Sequence, residues 1–202
     1  HKTIWAVLIV AFITAMNLRG VRESGSAFAI PVYGFMIGVY AMIGIAIFRI
    51  ATGGDVIAES ANWTVRPEGS FAGAALIFLV ARAFSSGTTA LTGIEAISNG
   101  VPAFRKPKSK NAATTLLMLG TIATTMFGGI TWLAIRSGVQ VTERNSDLVG
   151  LPAGQEQKTV IAQVAQAVFQ NFHLGFLYMA AVTAIILALA ANTAFNGFPV
   201  LG

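Results

Sequence analysis

Arg82 and Glu95 lie inside one apolar passage, residues 71–104, and five hydroxyls stand between them: Ser85, Ser86, Thr88, Thr89 and Thr92. A charge at the centre of a membrane-spanning helix costs about 2.5–3.5 kcal/mol on insertion scales, so two such charges imply a task. The chemistry on offer is the binding of an ion or a polar solute. Gly87, Gly93 and Gly100 weaken the helix around these residues. A helix interrupted at the membrane midplane exposes backbone carbonyls and half-helix ends, which transporters use to hold ions and substrates. A second reading stays open: a kinked helix whose Ser and Thr side chains bond back to their own backbone, with Glu95 satisfied by a neighbour.

The register decides which residues reach the midplane. Thirteen positions separate Arg82 from Glu95, about 20 Å along a helix, too far for a pair within one continuous helix. If the span is 71–91, Arg82 sits mid-membrane and Glu95 near the inner interface. If the midplane lies at Gly93 and Glu95, Arg82 stands about 15–20 Å outward. The basic residues of 105–110 then lie at a similar depth inward. The second register puts both basic groups at interfaces and is the one expected here. It requires residues 71–80 to be sheltered by an outer loop or strongly tilted.

The elements that position these residues follow from composition. Of 202 residues, 55% are hydrophobic and 10% charged, with no cysteine and a mean hydropathy of +0.71. A soluble domain carries about 25% charged residues. The composition therefore excludes a soluble globular domain, a disordered segment and a nucleic-acid-binding module. Thirteen basic against eight acidic residues give +5, which in a membrane protein reports basic loops on one side. Without cysteine there is no disulfide or thiol chemistry.

A helix needs roughly 20 apolar residues to cross about 30 Å of hydrocarbon. Five spans are predicted, at about 4–18, 27–50, 71–104, 116–135 and 172–193. The fold class is an all-α membrane protein, a multi-span helical bundle. The start at His1, the short first span and the end at Leu201-Gly202 are read as cuts in a longer transmembrane domain. Residues 159–171 predict an amphipathic helix, with Gln163, Gln166 and Gln170 on one face and Val160, Ile161, Val164, Val168 and Phe169 on another. It would lie in the interface or cap a vestibule. The alternative is the polar first turns of the last span.

Loops 17–26 and 105–111 are short and basic, holding Arg19, Arg22, Arg105, Lys106, Lys108 and Lys110. The longer loops 49–70 and 136–158 mix acidic and basic residues. Orientation follows short loops near span ends, which places the basic ones in the cytoplasm. Gly34 and Gly38 form a small-xxx-small pair for close helix packing. Gly53-Gly54 reads as a loop turn. His1 and His173 lack the partners of a metal site. No nucleophile–base pattern is visible, so no enzyme activity is expected. Asn62-Trp63-Thr64 fits the glycosylation pattern.

Thr92-Gly-Ile-Glu-Ala-Ile-Ser-Asn-Gly-Val-Pro-Ala-Phe, followed by a basic loop and Lys110-Asn-Ala-Ala-Thr-Thr, resembles the broken sixth helix of the amino acid–polyamine–organocation (APC) superfamily of permeases. Leu18-Arg-Gly-Val-Arg-Glu-Ser-Gly, Thr159-Val-Ile-Ala-Gln-Val-Ala-Gln-Ala-Val-Phe and Ala190-Ala-Asn-Thr-Ala-Phe-Asn-Gly-Phe-Pro narrow the likeness to the branch of KimA-type potassium importers. Some members read Ala-Asp before Phe-Pro and Arg after it, where this chain has Asn196-Gly197 and Val200. The resemblance implies helices four to eight of a LeuT-type inverted-repeat transporter, with the rest of the ion site on helices one and three. It implies that Thr92 ligates a monovalent cation, with Thr88, Thr89, Gly93 and Ile94 in the same binding stretch. Glu95 would serve proton coupling or gating. The implied activity is secondary active, proton-coupled potassium uptake across the cell membrane, without a cofactor beyond the transported K+ and H+. An amino acid permease of the same fold is the alternative, and a non-transporting membrane sensor or assembly partner a third reading. Expected partners are the lipid bilayer, a small cation or amino acid substrate and a second copy of the chain in a homodimer, with no nucleic acid.

Overall fold

The computed structural model describes residues 4, 6–8, 10–11, 14–15, 25–66, 73–88, 97–98 and 100–201. Its elements run α1 (Gly25–Ala51), β1 (Thr64–Val65), α2 (Ala74–Gly87), α3 (Lys108–Ser137), β2 (Leu148–Val149), α4 (Val160–Phe169) and α5 (His173–Leu201), with 3-10 turns at Val101–Ala103 and Asn145–Asp147. Among the described residues, three helices are long and apolar enough to cross a membrane: α1 over Ala29–Ala51, all of α3, and α5 over His173–Ala191. Ile30, Phe48, Phe127, Ile135 and Leu174 stand exposed on them. Exposed apolar side chains in such number suit helices that face lipid rather than water.

Two glycines stop the spans. Gly53 has φ +82°, its N–H bonds to the Ile50 carbonyl at 3.1 Å, and the Gly54 N–H reaches the Arg49 carbonyl at 2.8 Å. Gly138, at φ +73°, closes α3 the same way, with bonds from Gly138 N–H to Ile135 and from Val139 N–H to Ala134. A left-handed residue after the last turn pairs carbonyls that the helix would leave open. The turn expected at Gly53-Gly54 is therefore present. At its other end α3 begins at Lys108 and includes the expected apolar stretch 116–135. Lysine propagates a helix almost as well as leucine, so the backbone extends beyond the part suited to hydrocarbon.

The small-xxx-small pair packs as expected. A Cβ at Gly38 would stand 2.7 Å from Met179 Sδ and 2.9 Å from Tyr178 Cε1 of α5. Tyr178 donates its hydroxyl to the Gly34 carbonyl at 2.7 Å. On another side of α1, Tyr40 Oη pairs with Thr125 Oγ1 of α3 at 2.7 Å, and Ile43 fills the space over Gly129. Contacts that climb α1 therefore climb α3 and descend α5. α1 and α3 run parallel, and α5 runs against both. Val39, Met42, Ala46, Leu133, Val164, Val168 and Met179 form the core where α1, α3, α4 and α5 meet.

Parallel α1 and α3 bring their following loops, residues 52–66 and 138–159, to one end of the bundle. There the loops join. Thr64 pairs with Val149 and Val65 with Leu148 in an antiparallel ladder. The Ala58 N–H bonds to the Ser137 carbonyl at 2.9 Å, and the Arg66 N–H to the Asp147 carbonyl at 2.8 Å. Trp63 packs on Gly150.

The amphipathic helix sits inside this end rather than along it. α4 is separated from α5 by a turn in which Gln170 adopts φ +41°, so it is a helix of its own and not the first turns of the last span. Gln163, on the glutamine face, is 1% exposed. Gln163 accepts a hydrogen bond from the Ser60 hydroxyl and donates Nε2 to the Lys158 carbonyl at 3.0 Å. Ser60 in turn accepts the Gln140 N–H at 2.8 Å. Burial of this amide is permitted because its partners come from both loops.

Candidate transport site

The hydroxyl-rich stretch begins inside the last turn of α2, at Ser85 and Ser86. α2 runs Ala74–Gly87, and Thr88 caps it with its N–H on the Phe84 carbonyl. The Thr88 hydroxyl donates to the Ser85 carbonyl at 2.6 Å. This is the local back-bonding by which threonine satisfies itself in apolar helices. It consumes the proton and leaves lone pairs on the oxygen. Helical geometry occurs again at Ile97 and Ser98, and the 3-10 turn Val101–Ala103 leads toward α3. Thr89, Thr92, Gly93, Ile94 and Glu95 lie outside the described residues.

Arg82, in the middle of α2, pairs with Glu143 at 3.0 Å. Glu143 belongs to the loop 138–159, so Arg82 is tied to the end of the bundle where the two long loops meet. The side chains are 62% and 81% exposed, and such a pair contributes about 0–1 kcal/mol. It therefore marks position more than it stabilises. Among the described residues, no three His, Asp or Glu side chains converge on a possible metal position.

Arg49 was not singled out in the sequence, yet it organises this end. It is the lone charge of the stretch 27–50. Nη1 donates to the Ala167 and Val168 carbonyls at 3.0 and 2.6 Å, and Nη2 to the Asp55 carbonyl at 2.6 Å. The Asp55 carbonyl also accepts Gln170 Nε2 at 3.3 Å. A guanidinium suits the C-terminus of a helix, where carbonyls lack intrahelical donors and the dipole is negative. Its position at the end of an apolar span is the signal that could have identified it. Lys158 fastens the first turns of α4 through Glu59 and through Gln166 Oε1 at 2.8 Å. A groove of about 230 Å³ runs between α4 and α5, lined by Ile161, Ala165, Phe176, Met179 and Thr183.

The geometry is that of part of a multi-pass membrane protein, and comparison with known proteins identifies the group. The chain matches the amino acid permease family over residues 1–201. Over 196 residues it is 39% identical to the potassium transporter KimA of Bacillus subtilis (strain 168), covering 97% of this chain and 29% of that protein. The chain thus spans under a third of that relative's length. No solved structure matches it. A LeuT-type helical fold is consistent with the family. On this match of nearly its whole length, the chain belongs to the amino acid permease family of transporters, within the APC superfamily.

Proposed function

We propose that this chain is part of a secondary active transporter that imports potassium together with protons across the cell membrane. The observation that carries the reading is the 39% identity to a potassium transporter along 97% of the chain. In this reading Thr92 ligates the dehydrated cation, within the stretch formed by Thr88, Thr89, Gly93 and Ile94. Glu95 carries the coupled proton or gates the path. Hydroxyl and carbonyl oxygens suit a hard monovalent cation, which needs its hydration shell replaced by oxygens. An amino acid would instead need partners for its carboxylate and ammonium groups. The end of α2 at Gly87 and the tether of Arg82 to Glu143 support this assignment of the midplane.

The orientation belongs to the same reading. The loops around 17–26 and 105–111 face the cytoplasm, and the joined loops 52–66 and 138–159 face outward. The parallel course of α1 and α3 supports one shared side for the two basic loops.

The test uses the full-length protein in cells lacking other potassium importers, with and without competing amino acids. Potassium uptake that rises with an inward proton gradient and ignores amino acids is expected. Amino acid uptake without potassium uptake assigns the chain to the permease alternative. Transport of neither assigns it to a sensing or assembly role.

A further inference from the structure

The segment leading into α3 crowds four cations into six residues. Arg105, Lys106, Lys108 and Lys110 are all exposed. Arg105, Lys106 and Lys110 have no carboxylate within ion-pair distance among the described residues. The turn that carries them is held in shape. The Phe104 N–H bonds to the Val101 carbonyl at 3.2 Å, Asn111 Nδ2 to the Arg105 carbonyl at 2.9 Å, and the Lys108 ammonium to the Pro102 carbonyl. Leu117 lies seven residues after Lys110, two turns along one face of α3 and about 10 Å deeper. It is 71% exposed, and Met118 beside it is exposed as well.

We propose that residues 105–110 form a binding surface for the phosphate headgroups of anionic phospholipids, with Leu117 and Met118 against the acyl chains. A basic cluster directly before a membrane span attracts anionic lipid. Here three of the four cations pair with no carboxylate among the described residues, the turn is fixed by bonds to its own carbonyls, and it stands one headgroup depth above an exposed apolar strip. That strip is what favours a lipid over a soluble phosphate as the occupant. The inference rests on α3 spanning the membrane and not on the transported ion, so its failure leaves the transport reading intact.

The experiment places the full-length protein in phosphatidylcholine bilayers. It compares how strongly the protein associates with spin-labelled phosphatidylglycerol and with spin-labelled phosphatidylcholine. A preference of about fivefold for phosphatidylglycerol is expected, falling toward none at about 0.5 M NaCl, where charges are screened within a few ångströms. Changing Arg105, Lys106 and Lys110 together to Gln should abolish the preference. Lys108 is kept because it holds the turn. Arg66→Gln with Arg144→Gln, at the opposite end, should leave the preference in place. Equal association of both lipids with the unmodified protein overturns the proposal without any variant. So does a preference that survives the triple change, or one that millimolar inorganic phosphate displaces.

Discussion

Arg49, in the last turn of α1, donates to the carbonyl of Val168 at the end of α4 with an N···O distance of 2.6 Å. The two residues are 119 positions apart. The bond closes the C-terminus of a short helix whose own length supplies few hydrogen bonds. Arg49→Met should leave the Ala167, Val168 and Asp55 carbonyls without this donor and destabilise the protein by about 2 kcal/mol. Arg49→Lys should recover part of that, because one ammonium cannot replace a fork that spans three acceptors. Thermal unfolding of the purified protein measures both. A melting temperature unchanged in Arg49→Met would contradict the anchoring role.

The α1–α5 contact predicts a contrast between glycines. Gly38→Ala would press a methyl to 2.7 Å from Met179 Sδ and 2.9 Å from the Tyr178 ring. Met179 can rearrange, but Tyr178 is held by its bond to the Gly34 carbonyl. The expected loss is about 1–3 kcal/mol. Gly44, in the same helix, has open space where a Cβ would stand, so Gly44→Ala should be neutral or stabilising by up to about 1 kcal/mol. Equal effects in a melting experiment would refute the packing assigned here.

The buried amide of Gln163 gives a third prediction. Ser60→Ala removes the donor to Gln163 Oε1 and the acceptor of the Gln140 N–H. It should cost about 1–3 kcal/mol, the penalty for polar groups left dry and unpaired. Gln163→Leu in the same background should cost less than it does alone. Additive losses in a double-mutant cycle would mean that the two side chains do not share one network.

How far these features could be read from sequence depends on the range of the physics. Apolar length locates α1, α3 and α5, and Gly34 and Gly38 disclose their contact, because lipid solubility and side-chain size are local properties. The Gly53-Gly54 stop is local too. The fate of Gln163 is not. Periodicity groups Gln163 with Gln166 and Gln170 by polarity alone, whereas its burial depends on Ser60, 103 residues away. Arg49 announces itself only by its place at the end of an apolar span, since its acceptors are backbone carbonyls that carry no sequence signature. At the candidate site, residue types and the Gly-x-Glu pattern expose the stretch 88–95, and Thr88 alone of its six named residues falls among those described.

Topology is testable by labelling. A cysteine at Ser109, beside the four basic residues, should resist a membrane-impermeant thiol reagent applied to intact cells expressing the full-length protein. A cysteine at Val141, in the loop that joins β2 to the α3 end, should react readily. Residues 1–202 hold no cysteine, and any elsewhere in the full-length protein is replaced by serine before labelling. Labelling at Ser109 and protection at Val141 would invert the assigned orientation.

The measurement that reaches the central claim most directly is potassium affinity in the full-length protein carrying Thr92→Val. Valine keeps the shape of threonine and is at least as compatible with lipid, so insertion and folding should survive. If Thr92 ligates a dehydrated cation, the variant lacks one oxygen of that shell. The apparent affinity for potassium should fall about tenfold or more, the equivalent of one lost hydrogen-bond-strength contact of about 1.4 kcal/mol. In the companion variant Glu95→Gln, uptake should lose its pH dependence more than its affinity. Unchanged potassium affinity in Thr92→Val, at normal expression and membrane insertion, would contradict the assignment of the cation to this stretch.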